Sequence, residues 1–240
     1  KLLKVAKPKK KLNNPKDTPF LRSLCYESKT VEEYFWKASQ QGNDDRKFSI
    51  NELLPVIRMI TEANNIGSAA EFGTAQCRVS SALLLGGVKK LYSIDIVKDE
   101  VVSHFEELCN KDNLNFEFIL EDSATYKLQD VDLLFIDSLH NREHLREELK
   151  NHTKVNKLIF MHDTETYKEL GDQGGGLKFE IDNFLDKNLE WTVRYEFRHN
   201  NGMMGLSKAE LCKKERLACP SLMTSNICIS IWQIGTIRAT

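Results

Sequence analysis

The 240-residue sequence has no apolar run long enough to cross a bilayer. Its basic N-terminus is not followed by the apolar segment of a secretion signal. The charges nearly cancel, because 34 lysines and arginines stand against 35 aspartates and glutamates. A formal net charge of -1 gives no general attraction to nucleic acid or to an anionic membrane. These absences predict a cytoplasmic protein with no membrane span and no nucleic-acid partner.

Cysteine is present, but without a recognisable pattern. The six cysteines form no C-x-x-C pair and no disulfide-framework spacing, which predicts reduced structural thiols. They are Cys25, Cys77, Cys109, Cys212, Cys219 and Cys228. The sequence also contains no internal repeat. Its length suffices for one α/β domain with a sizeable core and is short for two.

The two ends of the chain differ in character from its middle. Residues 1–27 are rich in lysine and proline without a sustained hydrophobic period, which predicts a solvated linker. We expect the folded domain to span residues 28–208, followed by an extension of unassigned structure at 209–240. Because the first residue is lysine rather than methionine, we also expect a segment of a longer polypeptide.

Short apolar runs alternate with helical patterns through the middle of the chain. The runs near 68–72, 91–96, 115–120, 131–136 and 157–161 are typical of buried strands. The stretches between them, such as KDEVVSHFEELCNKD and NREHLREELKNH, are typical of helices. This alternation predicts a parallel sheet with helices on both faces. Near the end, WTVRYEFRHNNGMMGLSK predicts an antiparallel hairpin around an Asn-Gly turn.

Two further helices are predicted ahead of the first strand. The stretch SKTVEEYFWKA offers Ser28 as a cap and clusters its apolar residues. The stretch SINELLPVIRMITEAN opens on Ser49 with Glu52 three positions later, which is the pattern of a capping box. Its apolar residues recur at helical spacing.

Acidic residues stand at the ends of the first three predicted strands, where parallel sheets bind their ligands. Glu71 is followed by Gly73, and a glycine at a strand-to-helix turn lets the backbone approach a ligand. Asp95 follows the second strand and can accept both hydroxyls of a ribose. Asp122 and Ser123 follow the third and could bond the edge of an adenine.

The kind of ligand follows from what these strand ends omit. No G-x-G-x-x-G follows the first strand, since Cys77 stands where a glycine is expected, and this weakens a nicotinamide or flavin interpretation. Each acid alone could be a helix cap, a turn residue or a solvated loop residue. Three together favour one adenosine-like ligand without phosphates, and an acidic rim suits a cation. S-adenosylmethionine has these properties.

The next two strands each end in an acid and an imidazole. VDLLFIDSLH delivers Asp137 and His140, and KLIFMHDT delivers His162 and Asp163. Two acids closing adjacent buried strands repel each other unless something cationic lies between them, so this pair favours function. Each histidine alone is open: His140 could cap the following helix, and His162 could be a satisfied histidine at the edge of the core.

Seven segments in order carry a resemblance to a known family. They are FSINELLPVI, AAEFGTAQCRVSSALL, KLYSIDI, DLLFIDSLHNREHLREELKNH, KLIFMHDTETY, GGGLKFEIDNFL and RHNNGMMGL, and they cover roughly residues 47–208. In them the chain resembles class I S-adenosylmethionine-dependent methyltransferases. More narrowly, it resembles the group of cephalosporin-hydroxylase-like proteins and sugar O-methyltransferases of antibiotic and surface-glycan pathways. The resemblance implies a Rossmann-like sandwich with a mostly parallel seven-stranded sheet and an antiparallel C-terminal hairpin.

The resemblance also implies roles for the residues at the strand ends. The residues implied to contact the methionine end, the ribose and the adenine of the cofactor are Glu71, Gly73, Thr74, Ser80, Asp95, Asp122 and Ser123. The ligands of a divalent cation, Mg²⁺ or Mn²⁺, are Asp137, His162 and Asp163. The base that accepts the proton of the acceptor hydroxyl is His140.

We therefore expect a metal-assisted O-methyltransferase acting on a sugar hydroxyl of a glycan or glycoside, with a terminal deoxyhexose such as rhamnose as one candidate. Fusion to glycosyltransferase domains in a large DNA virus is one candidate context, and it would put the protein in the host cytoplasm. The alternatives are a non-haem Fe(II) hydroxylase of the cephalosporin-hydroxylase type and a non-catalytic S-adenosylmethionine-binding module. A nucleic-acid methyltransferase is disfavoured, because IDSL stands where [DNS]-P-P-[YFW] is usual.

Overall fold

A computed structural model describes residues 18–43, 49–172, 174–199 and 201–208. The predicted extension at 209–240, most of the predicted linker and the side chain of Ser49 lie outside this description, so the capping box at Ser49 stays a prediction.

Seven strands form one sheet in the order β3-β2-β1-β4-β5-β7-β6. The five strands predicted from apolar runs are all present and mutually parallel. They are β1 (Ser68–Phe72), β2 (Lys90–Asp95), β3 (Phe116–Leu120), β4 (Val131–Ile136) and β5 (Val155–His162). The predicted hairpin consists of β6 (Trp191–Phe197) and β7 (Met203–Lys208), and β7 runs antiparallel to both of its neighbours. The predicted fold class is confirmed.

Helices cover the two faces of this sheet. Three precede it: α1 (Thr18–Tyr26), α2 (Val31–Ser39) and α3 (Ser49–Ala63). Four connect its strands: α4 (Arg78–Leu85), α5 (Glu100–Lys111), α6 (Arg142–Leu149) and α7 (Leu177–Lys187). None of the helices in the described ranges is both long and apolar enough to span a membrane.

Side chains of the central strands alternate between two cores. In β4, Leu133 and Phe135 pack on the side of α1 to α5, whereas Leu134 and Ile136 pack on the side of α6 and α7. A parallel strand buried on both faces reads in the sequence as a continuous apolar run, which is the reason that VDLLFI predicted it. Burying each such side chain stabilises the fold by about 1.5–3 kcal/mol.

The N-terminal boundary differs from the prediction. Residues 18–26 form α1, whose Leu24 and Cys25 are buried in the same core as α2 and α5. The guanidinium of Arg22 donates to Asp99, the residue that caps α5, at 3.0 Å. The folded unit therefore includes part of the segment predicted as linker, while the remaining domain boundaries stay predictions.

The predicted cap at Ser28 is wrong. Thr30 caps α2, and its hydroxyl accepts from the backbone N–H of Glu33 at 3.1 Å. The hydroxyl of Ser28 instead donates back to the carbonyl of Leu24 at 2.7 Å, at the end of α1. Serine and threonine two positions apart are both good caps, so the sequence alone does not choose between them.

The thiol prediction is confirmed for the described cysteines. Cys25, Cys77 and Cys109 are buried and unpaired. The carboxyl ends of β1 to β5 lie at one edge of the sheet, and most of the residues predicted to be functional are the last residues of these strands or lie in the turns after them.

Candidate active site

The turn after β1 brings three strand ends into contact. The N–H of Gly73 donates to the carbonyl of Ile94 in β2 at 2.9 Å, and the N–H of Asp137 donates to the carbonyl of Phe72 at 2.8 Å. Gly73 has φ +96°, and a Cβ there would lie 2.1 Å from the carbonyl oxygen of Asp137. Only glycine fits this position, so the predicted close backbone approach is made to the loop after β4.

Cys77, which stands where the motif glycine is expected, adopts a backbone conformation that is typical of glycine. Cys77 adopts φ 60° and ψ 23°, the left-handed conformation that glycine adopts without strain, directly before α4. Its side chain is fully buried, and burial raises the pKa of the Cys77 thiol well above its usual value. The thiol therefore stays protonated and packs as an apolar group.

Glu71 is a buried acid held by hydroxyls. Its Oε2 accepts from Ser80 Oγ at 2.5 Å and from Ser93 Oγ at 2.6 Å, and Ser93 in turn lies 2.7 Å from Thr74 Oγ1. Burial raises the pKa of Glu71 to about 8, although both serines act to lower it. Three of the predicted cofactor-binding residues, Glu71, Thr74 and Ser80, thus come together. Ser93 was missed because it lies inside a strand.

Asp95 is fixed at the end of β2 by two backbone donors. Its Oδ2 accepts from the N–H of Ala75 at 3.2 Å and its Oδ1 from the N–H of Val97 at 3.1 Å. Ile96 and Val97 follow it with 58% and 62% of their surface exposed, and Leu120 at the end of β3 is 64% exposed. Three exposed apolar side chains beside an anchored acid form a surface suited to a planar base above a ribose.

The two predicted adenine contacts behave differently. Asp122 is exposed and accepts from the N–H of Ala124 at 2.9 Å. Ser123 is buried, and its hydroxyl donates to Oε1 of Glu148 at 2.6 Å rather than facing the open edge. Its predicted adenine contact therefore has no support from the orientation of the side chain.

Glu148 is a buried acid that the sequence analysis missed. Its Oε1 accepts from Ser123 and also from Ser138 at 2.5 Å, and it lies 3.3 Å from His144 Nε2. Its Oε2 is buried without a hydrogen-bond partner. This carboxylate joins the loops after β3 and β4 to α6. Nothing in the charged stretch NREHLREELKNH distinguishes it from a solvated glutamate.

The acids after β4 and β5 meet on one imidazole. His140 Nε2 lies 2.8 Å from Asp163 Oδ2 and 3.3 Å from Asp137 Oδ1. Each of these three residues offers a ligand atom, and the three atoms lie within 4.8 Å of one another. His140 thus takes the place in this group that the sequence assigns to His162. Asp163 has φ 62°, a strained conformation of the kind that clusters at functional sites.

The ring of His140 is fixed from its other side. Its Nδ1 lies 3.2 Å from Asp172 Oδ2, and the ring stacks on Tyr167 at 4.3 Å between centroids with 3° between planes. The N–H of Asp172 also donates to the carbonyl of His140 at 2.8 Å. Neither Asp172 nor Tyr167 was predicted. A carboxylate on the far nitrogen is the usual partner of a metal-ligating histidine.

His162 lies beside this group. Its Nδ1 is 3.3 Å from Asp137 Oδ1 and 3.3 Å from Asp163 Oδ1, and that Asp163 oxygen is buried without a hydrogen bond. The ring is buried at the end of β5. The two carboxylates are thus contacted by imidazoles on both sides.

Charges in this group shift the titration of its members. Burial lowers the pKa of His140, but Asp137 and Asp163 outweigh burial and raise it to about 10. Burial likewise opposes ionisation of Asp137, yet the two histidines hold its pKa well below the usual range. His140 is therefore an imidazolium at neutral pH. An imidazolium has no free lone pair, so the predicted base role requires the ring first to lose this proton.

No family model matches the sequence, and no curated protein matches it. Solved structures resemble it in fold. A methyltransferase of Podospora anserina with bound SAH gives a TM-score of 0.52 at 12% identity, over 86% of this chain and 99% of that one. An O-methyltransferase of Bacillus cereus in complex with SAH gives 0.50 at 12% identity, over 75% and 91%.

Magnesium protoporphyrin IX methyltransferase of Synechocystis with bound SAM gives a TM-score of 0.50 at 10% identity, over 80% of this chain and 97% of that one. At identities this low the likeness establishes the fold. The chain has the Rossmann-like fold of class I S-adenosylmethionine-dependent methyltransferases.

Proposed function

We propose that this protein is an S-adenosylmethionine-dependent O-methyltransferase that uses a divalent cation and acts on a sugar hydroxyl. One observation carries the proposal. The acid–imidazole group of Asp137, His140 and Asp163 lies at the same sheet edge as Glu71 and Asp95, which end β1 and β2. The two are joined directly, because Gly73 packs against the backbone of Asp137.

The pocket of β1 to β3 supports binding of the methyl donor. Asp95 is positioned to accept from ribose hydroxyls, and the exposed Ile96, Val97 and Leu120 offer an apolar seat for adenine. Glu71 lies at the methionine end of such a ligand, and no phosphate-binding loop is needed for it. A sulfonium cation is favoured by the acids that surround this edge.

The group after β4 and β5 fits a divalent cation. Carboxylates are ligands of both Mg²⁺ and Mn²⁺, and the one imidazole of this group shifts the preference toward Mn²⁺. The buried Oδ1 of Asp163 has no hydrogen bond and is available to such an ion. We assign Asp137, His140 and Asp163 as its ligands, with Asp172 orienting His140 and His162 adjacent.

A sugar hydroxyl is a poor nucleophile at neutral pH, and the acceptor oxygen must lie in line with the methyl group and the sulfur. A bound cation would stabilise the alkoxide that develops on the acceptor. Asp137, at 24% exposure the most open of the three side chains, is then the group that faces the acceptor. The sequence predicts His140 as the base beside a metal held by Asp137, His162 and Asp163; with His140 assigned as a ligand, it keeps the base role only if no metal is used.

The choice of a sugar as acceptor rests on the resemblance of KLIFMHDTETY and its companion segments to sugar O-methyltransferases. Fusion to glycosyltransferase domains is part of the same proposal. The test is an assay of labelled methyl transfer from S-adenosylmethionine to nucleotide sugars and short glycosides, with Mn²⁺, with Mg²⁺ and with EDTA. Transfer that is insensitive to EDTA would contradict the role of the metal but not the methyltransferase activity.

A non-haem Fe(II) hydroxylase is the enzymatic rival. Its facial triad needs two histidines and one carboxylate, whereas the group here has one histidine and two carboxylates. Calorimetry with S-adenosylmethionine separates the two, since the hydroxylase has no use for it. A non-catalytic binding module would bind S-adenosylmethionine and show no methyl transfer to any acceptor.

A further inference from the structure

A basic side chain stands beside the acids of the candidate active site without an acidic partner of its own. Arg78 is the first residue of α4 and is half-buried. Burial lowers the pKa of its guanidinium. Its helix starts at the turn in which Gly73 meets the backbone of Asp137, and Ser80, two positions later, donates to Glu71. Within the described ranges, no carboxylate forms an ion pair with it; its hydrogen bond goes to an amide.

That amide belongs to Asn51 in the first turn of α3. Arg78 Nη1 donates to Asn51 Oδ1 at 2.8 Å. Because a guanidinium can only donate, this bond fixes which end of the amide is oxygen. The Nδ2 of Asn51 is consequently a donor, and it is buried without a hydrogen-bond partner in a side chain with 0% exposure. An unsatisfied buried donor of this kind destabilises the fold unless a ligand supplies its acceptor.

An unpaired guanidinium and an unsatisfied amide donor together form a receptor for an anion. We propose that Arg78 and Asn51 bind a carboxylate group in the active site, an inference that rests on the proposed function. The planar fork of a guanidinium matches a carboxylate, and the amide supplies a further donor. Without this cation the surrounding acids would repel a carboxylate.

Two reactants could supply that carboxylate. One is the methyl donor, whose methionine end carries one. The other is the acceptor, if it is an acidic sugar such as a uronic acid. The chemistry at Arg78 is the same in both cases, so the sources are separated by pairs of probes of which only one carries the carboxylate.

The donor is tested by calorimetry with S-adenosylhomocysteine and with 5′-methylthioadenosine, a thioether nucleoside that lacks the amino-acid end. If the donor supplies the group, Arg78→Gln weakens S-adenosylhomocysteine binding about 10- to 100-fold, since hydrogen bonds to charged groups contribute about 1.5–3 kcal/mol. Binding of 5′-methylthioadenosine is unchanged. Asn51→Asp gives the same pattern, because it sets a carboxylate against the guanidinium while keeping the size of the side chain.

The acceptor is tested by titrating glucuronate and glucose into the complex with S-adenosylhomocysteine. If the acceptor supplies the group, glucuronate binds the unmodified protein more tightly than glucose. Both substitutions then remove that preference and leave S-adenosylhomocysteine affinity unchanged. Arg198→Gln is the matched control, since Arg198 is exposed and paired with Glu196.

Thermal unfolding of each variant checks its fold, and Asn51→Asp decides the matter if Arg78→Gln is unstable. Two results together would overturn the proposal: Asn51→Asp binds S-adenosylhomocysteine as tightly as the unmodified protein does, and the substitution does not reduce any preference for glucuronate over glucose. Failure of the unmodified protein to bind either thioether is a different result, because it would count against the methyltransferase itself.

Discussion

The two halves of the candidate active site satisfy their acids in different ways. In the donor half, formed by the ends of β1 to β3, Glu71 accepts from serine hydroxyls, and Asp95 and Asp122 accept from backbone N–H groups. In the half proposed to hold a cation, called the metal half and formed by the ends of β4 and β5, Asp137 and Asp163 lie against imidazoles. The donors of the first half are permanent, whereas an imidazole can give up its proton when another cation arrives. The metal half is therefore the exchangeable one.

The largest effect is expected from removing an acid of the metal half. Asp137→Ala should lower methyl transfer at least about 100-fold, because a ligand to the cation and the group nearest the acceptor are both lost. Affinity for S-adenosylhomocysteine should stay within about threefold, since the donor half is intact. The measurement is labelled methyl transfer alongside calorimetry, with Asp130→Ala, an exposed acid, as the control. Full activity in Asp137→Ala would show that this acid has no role in methyl transfer that distinguishes the metal half from the donor half.

In the donor half, we expect Glu71 to make the free energy of unfolding depend on pH. Burial raises the pKa of Glu71 from 4.5 to about 8, so the protonated form is the one that the fold favours. The stability this gives is complete below about pH 4.5 and is lost as the pH rises through about 8, amounting to a few kcal/mol. Urea unfolding at pH 5 and pH 8.5 should show this loss in the unmodified protein and a smaller one in Glu71→Gln.

Since all other titratable groups are common to the two proteins, the difference between their pH dependences reports on Glu71. Glu62→Gln, at an exposed position of α3, should behave like the unmodified protein. An equal pH dependence in Glu71→Gln would mean that Glu71 is already ionised in the fold.

Glu148 connects the two halves, and we expect its replacement to lower the free energy of unfolding. Glu148→Ala removes the buried acceptor that Ser123 and Ser138 share, so we expect a loss of about 1–3 kcal/mol in the free energy of unfolding. Glu148→Gln keeps an acceptor oxygen and should lose less. The measurement is urea unfolding at pH 7, with Glu147→Ala, on the exposed side of α6, as control. A smaller loss for alanine than for glutamine would contradict this connection.

The smallest effect is expected at Cys77, where strain and packing oppose each other. Cys77→Ala keeps the left-handed conformation and loses the buried thiol, so it should destabilise the protein by about 1 kcal/mol. Cys77→Gly loses the same packing but relieves the strain, so its stability should exceed that of Cys77→Ala. Thermal unfolding of the pair gives the order, and the reverse order would show that the left-handed turn carries no strain.

The sequence predicts the sheet well because its strands are buried on both faces. The runs 68–72 and 131–136 coincide with β1 and β4, and the other three runs end within two residues of the observed strands. The acids at Asp137 and Asp163 follow from the same logic, since residues that end parallel strands meet at one edge. The roles of these residues remain predictions that the experiments above test.

What the sequence does not predict is orientation. Asp172 lies 32 positions after His140 in a loop rich in glycine, and only the folded chain brings its carboxylate to the ring. Ser123 and Glu148 show the same limit. The serine is predicted to face a ligand, but its hydroxyl donates to Glu148, which the charged sequence around it does not distinguish from a solvated residue. The segment 18–26 escaped prediction because its short apolar run is flanked by lysines and prolines.

The position of β7 between β5 and β6 has a consequence for synthesis on the ribosome. β5 pairs with β4 on one side, but its other edge is closed only by residues 203–207, forty or so positions later in the chain. Until then Leu158, Ile159, Phe160 and Met161 form an open edge, and such an edge is a template for pairing with another nascent chain. His162 pairs with Met203 in the same ladder, so the strand that leads to Asp163 gains its second partner only when β7 is in place.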